Sequence, residues 1–99
     1  GEVVAGITET VEVTVVSPQQ AIAGLITQVK ALELDRGIEN SLIRKLEMAI
    51  SSLDRGRTNA AANQLKAFVN EVNALKGKKL PDAQVSTLAV RAQDIIDNL

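Results

Sequence analysis

From Ser17 onward the apolar residues recur at spacings of three and four, in four stretches parted by turns of a few residues. That spacing puts the apolar residues of each stretch along one side of an α-helix. Links so short force each helix to run antiparallel to the one before it. The expected fold is mainly α: an up-down-up-down four-helix bundle over residues 17–99, preceded by an N-terminal β-strand or hairpin over residues 1–16.

The helix starts and stops can be read residue by residue. Ser17 suits an N-cap, Pro18 the first helical position, and Gln20 completes a capping box with Ser17. The first helix is expected to reach about Leu34, with Ile22, Leu25, Ile26, Val29 and Leu32 inward. Asp35-Arg36-Gly37 reads as a turn, and a second helix follows from about Ile38 to Asp54, with Leu42, Leu46, Ala49, Ile50 and Leu53 inward. Gly56 fits a left-handed C-cap, and Thr58 an N-cap for a third helix running to about Lys76. Ala61, Leu65, Phe68, Val69, Val72 and Leu75 form its inner face. After Gly77 and the Lys78–Pro81 link, the fourth helix begins near Asp82, with Val85, Leu88, Ala92, Ile95, Ile96 and Leu99 inward.

Before Ser17 the period changes. Val11, Val13 and Val15 alternate with Thr10, Glu12 and Thr14, a period of two that reads as a strand. One or two strands do not hold together alone in water. This segment is therefore expected to be the end of a preceding β-domain or a linker. Excised from that sheet, Val11, Val13 and Val15 would pair with residues 2–7 or with a second molecule, giving a homodimer. Gly1 is not a natural start, so the chain is expected to be a piece of a longer protein.

Composition narrows the function. Phe68 is the single aromatic residue, so the core must be aliphatic. With eleven basic and twelve acidic residues the formal net charge is −1, which argues against a nucleic-acid binder and gives no polybasic membrane signal. There is no His and no Cys, which removes the commonest general base and the usual ligands for transition metals. Asp94 and Asp97 lie one turn apart, and Asp35 and Glu39 are similarly spaced, but a solvated helix surface is the favoured reading of each pair. Ser41, Ser51, Ser52 and Ser86 have no histidine to activate them; Lys could serve in principle, though nothing in the spacing suggests it. No catalytic, cofactor-binding or metal-ligating residue is assigned, no cofactor is expected, and no apolar run is long enough to span a bilayer.

The candidate interaction surface rests on apolar residues off the inner faces and on one basic cluster. Met48 and Val90 project away from the core of their helices, and Ile43 sits at the edge of its stripe. Lys76, Lys78 and Lys79 follow the third helix, where cations also suit a helix C-terminus. Arg55 and Arg57 are placed to approach the helix end that carries Asp94 and Asp97.

Residues 38–99 carry a pattern that resembles the FIMAH-type helical domain of multidomain extracellular bacterial and archaeal proteins. It runs through Asn40-Ser41-Leu42, Lys45-Leu46, Leu53-Asp54-Arg55-Gly56-Arg57-Thr58, Gln64-Leu65, Ala67-Phe68-Val69, Gly77-Lys78-Lys79-Leu80 and Ile95-Ile96. The stretch from Leu53 to Leu80 is its most specific part. The resemblance implies a surface or secreted protein with a β-domain upstream, in a family with no established enzymatic activity. It carries over no functional residue. The expected role is a non-catalytic structural or interaction module that meets a neighbouring domain or another protein. The alternatives are a cytosolic helical adaptor and a small carbohydrate- or wall-binding module, the latter disfavoured because no exposed aromatic is available to stack on a sugar.

Overall fold

The computed structural model describes residues 17–99, and the strand expected over residues 1–16 lies outside them. Four helices follow one another: α1 Pro18–Ala31, α2 Arg36–Asp54, α3 Thr58–Ala74 and α4 Asp82–Asp97. Each packs on its sequence neighbour, and α4 closes back on α1, so that α2 and α4 occupy opposite corners of the ring. Polar contacts at the two ends fix the antiparallel sense. The Gln19 amide at the start of α1 donates to Asp54 at the end of α2 (3.2 Å), while at the other end Lys79 pairs with Asp35 across the two turns (3.2 Å).

Buried residues of all four helices form one core, with Phe68 its largest fully buried side chain. Ile22, Leu25, Val29, Leu42, Leu46, Ala49, Ala61, Leu65, Val72, Val85, Leu88 and Ala92 surround it, all from the expected inner faces. Ile26, Leu32, Ile50, Leu53, Val69, Leu75, Ile95, Ile96 and Leu99 are only partly buried and pack against that core from its margins. A bundle this small buries only a limited share of its surface. Leu80, which the sequence places in a link, belongs to the core.

The helix ends follow from local chemistry. The Ser17 capping box forms as expected, with the Gln20 amide on Ser17 Oγ (3.1 Å) and the Ser17 amide on Gln20 Oε1 (3.0 Å). The end of α2 is a Schellman motif: the Arg57 amide reaches the Ser52 carbonyl (2.8 Å), the Gly56 amide reaches Leu53 (2.9 Å), and Gly56 adopts φ +75°. That tight link leads straight into α3, so Arg57 takes the N-cap position and Thr58 is the first helical residue rather than the cap. Helix α2 starts at Arg36, ahead of the expected Ile38. Asp35 is its N-cap residue by position, yet its carboxylate is turned to Lys79 instead of to the helix amides.

Helix α1 stops at Ala31, short of Leu34, because Glu33 turns left-handed with φ +53°. Among the described residues Glu33 is the only non-glycine with positive φ. A side chain in that region costs about 1–2 kcal/mol, which glycine escapes. Replacing Glu33 by Gly is expected to raise stability by about 0.5–1 kcal/mol, the relief being partly offset by a floppier unfolded chain. A urea titration of both chains checks this, and an unchanged or lowered midpoint would show that Glu33 is not strained there.

Candidate interaction surface

The six residues singled out from the sequence fall in three separate places. Ile43 and Met48 line an open groove of about 610 Å³ along the outer side of α2, together with Lys30 of α1 and Arg44, Glu47 and Ser51 of α2. Ile43 is 9% exposed and belongs to the core, reaching the groove only by its edge, whereas Met48 is 48% exposed. At the edge of its stripe, Ile43 packs with the core and leaves little apolar surface free. The groove carries both signs of charge, and its one freely exposed apolar group is the flexible Met48 side chain.

Val90 is 67% exposed on α4, beside Ser86, Thr87 and Arg91. Because α2 and α4 stand at opposite corners, Val90 and Met48 cannot contribute to a single patch. Single exposed apolar residues are ordinary surface.

Lys76, Lys78 and Lys79 are displayed by a tightly closed turn. The Leu75 carbonyl accepts the amides of Lys78, Lys79 and Leu80 (3.0, 3.0 and 3.1 Å), and the Gly77 amide donates to the Leu80 carbonyl (2.9 Å). Gly77 makes this possible with φ +73°. All three lysines are exposed, and Lys79 is engaged by Asp35 in a solvated pair that contributes roughly 0–1 kcal/mol. At the opposite end, the start of α1 and the end of α4 meet: Ser17, Pro18 and Ala21 share a cleft of about 260 Å³ with Asp94, Ile95 and Asn98.

One polar cluster joins α2 to α3. Lys45 Nζ lies 2.7 Å from Glu71 Oε1 and 3.1 Å from Ser41 Oγ, and the Ser41 hydroxyl donates to the same Glu71 oxygen (2.9 Å). The signal was half present in the sequence, since Ser41 and Lys45 are four apart and share a face of α2. The third member comes from α3 and has no local signature. The arrangement is not that of an activated nucleophile, because the ammonium donates to the serine oxygen and cannot take up its proton. It is a clamp between α2 and α3, with the Lys45 and Glu71 side chains 28% and 22% exposed. Glu71→Ala strands the ammonium and the hydroxyl in a half-buried seam and is expected to cost about 1–3 kcal/mol. Glu71→Gln, which keeps an acceptor, should cost less. Equal losses in a denaturant series would mean that the charge, not the hydrogen bonds, carries the clamp.

The polar contacts at the end of α4 stay within that helix. Asp97 accepts the Gln93 amide (3.0 Å), and Asn98 donates to the Asp94 backbone carbonyl (2.7 Å). No ion pair among the described residues joins Arg55 or Arg57 to Asp94 or Asp97. Also among the described residues, no group of three or more Asp and Glu side chains could hold a metal ion, and no helix is long and apolar enough to cross a membrane.

Neither a curated protein nor a solved structure matched the chain. The family model of the FIMAH domain matches residues 20–97, a span that runs from the first turn of α1 to the last residue of α4. A match over most of the sequence, on a bundle whose helices coincide with it, makes this chain a member of the FIMAH domain family.

Proposed function

We propose that this domain is a non-catalytic structural and interaction module, appended to a β-domain in a larger cell-surface or secreted protein. The observation that carries the reading is where the polar chemistry lies. The interior around Phe68 is filled by aliphatic side chains, and the described polar side chains stand at seams and surfaces. A domain built this way works through its outside.

The geometry of the ends supports the attachment. Ser17 and Pro18, at the start of α1, stand beside the C-terminal end of α4, and the Lys76–Lys79 turn stands at the far end of the bundle. A β-domain completed by Val11, Val13 and Val15 would hold the module by its base and leave the lysine-bearing tip free. Met48 and Val90, pointing different ways, would then contact neighbours on different sides.

Deleting residues 1–16 tests the division into a strand segment and a bundle over 17–99. The truncated chain is expected to keep its helical circular dichroism and its cooperative melt, and to run as a monomer in gel filtration. If the longer chain dimerises and the truncated one does not, the strand is the cause. A truncated bundle that unfolds would make the strand part of this domain's own core and defeat the reading.

A further inference from the structure

The outer face of α3 carries a pattern that neither the core nor the clamp uses. Asn59, Asn63, Lys66, Asn70 and Asn73 follow one another at steps of four, three, four and three residues, and all are exposed. At about 3.6 residues per turn they form a single stripe opposite Ala61, Leu65, Phe68 and Val72. Of the six asparagines in the chain (Asn40, Asn59, Asn63, Asn70, Asn73, Asn98), four lie on it. Asparagine is a poor helix former, and its usual helical employment is at caps. Asn59 and Asn73 lie in the first and last turns of α3, but Asn63 and Asn70 stand mid-helix, where Ala, Lys or Glu would hold the helix better. Among the described residues none of these four amides hydrogen-bonds within the chain. Each side chain offers two donors and a carbonyl acceptor.

We propose that this amide stripe is a binding surface for a neutral polyhydroxylated polymer, a glycan chain laid along α3. The inference rests on reading the domain as an interaction module and names its partner. The stripe is about 21 Å long, with neighbouring side chains about 5–6 Å apart, a regular row of donors and acceptors for an extended chain of hydroxyl groups. Its chemistry selects among occupants. A protein partner would look for aromatic, arginine or aliphatic anchors, and the stripe presents none. A second copy packed antiparallel about the middle of the stripe would set Lys66 against Lys66, like charge on like. A polyanion would find one lysine only. The sole aromatic residue is buried, so sugars would be held here by hydrogen bonds and not by ring stacking.

The test is native electrophoresis of the full chain and of its Asn63→Ala/Asn70→Ala variant through gels cast with hydroxyethyl cellulose, pullulan or galactomannan, and through one cast with polygalacturonate. At least one neutral polymer should retard the parent chain, with affinity about tenfold or more weaker in the variant. The variant's thermal midpoint should equal or exceed the parent's, because alanine is the better helix former, so lost binding would not reflect lost fold. The proposal is overturned by any of four results: no retardation in the three neutral gels, equal retardation of parent and variant, retardation by polygalacturonate alone, or a concentration-dependent dimer that the variant abolishes. None of these bears on the module reading, which the deletion of residues 1–16 decides separately.

Discussion

Phe68→Ala is expected to destabilise the bundle by about 3–5 kcal/mol, the largest effect of any single truncation in this chain. Phe68 is fully buried and is the largest of the buried side chains. Its neighbours are aliphatic residues already close-packed around the ring, so they cannot flow into the space it leaves. The loss therefore contains both the transfer term for the ring and a cavity term. Small domains commonly have a total stability near the lower end of about 5–15 kcal/mol, so this variant should sit close to its unfolding midpoint at room temperature. Phe68→Leu refills much of the volume and should cost about 1–2 kcal/mol. Urea titrations followed by circular dichroism measure both. A loss below about 1 kcal/mol for Phe68→Ala would mean that the ring does not fill the core.

Leu80→Ala is expected to cost about 2–3 kcal/mol, although the residue lies between helices. Leu80 is 3% exposed and plugs the core beneath the α3–α4 turn. Its amide donates to the Leu75 carbonyl and its carbonyl accepts the Gly77 amide, so the backbone holds the side chain in place before Pro81 leads into α4. Truncation should loosen the turn and the first turn of α4 together. Leu80→Met, close in volume, should stay within about 1.5 kcal/mol of the parent. Amide exchange adds a local reading: in Leu80→Ala the amides of Gln84 and Val85, bonded to Pro81, should lose protection before those in the middle of α4. Unchanged protection there would show that the turn holds without its plug.

These two residues mark how much was legible in the sequence. Phe68 reads as a core residue because Leu65, Phe68 and Val72 repeat at helical spacing, a signal contained within one helix. Leu80 stands alone in a lysine-rich link and has no period to reveal it; only the closure of the turn brings it over the core. The same division runs through the candidate surface. Met48 and Val90 are exposed, which follows from the helix face that each occupies. That they stand on opposite corners depends on the order in which the helices pack.

Local patterning specifies the number, order and direction of the helices, the capping box at Ser17, the glycine-ended close of α2 and most of the buried set. Each of these is encoded by neighbours within a few residues, through helical period, turn length and backbone freedom. Packing sets the rest: Asp35 turns from its helix to Lys79, Glu71 meets Lys45 and Ser41 across a seam, Ile43 is covered and Leu80 is buried. Those outcomes join residues far apart in the chain. A side chain's spacing tells which way it points, and only the packing of one helix on another supplies what it points at.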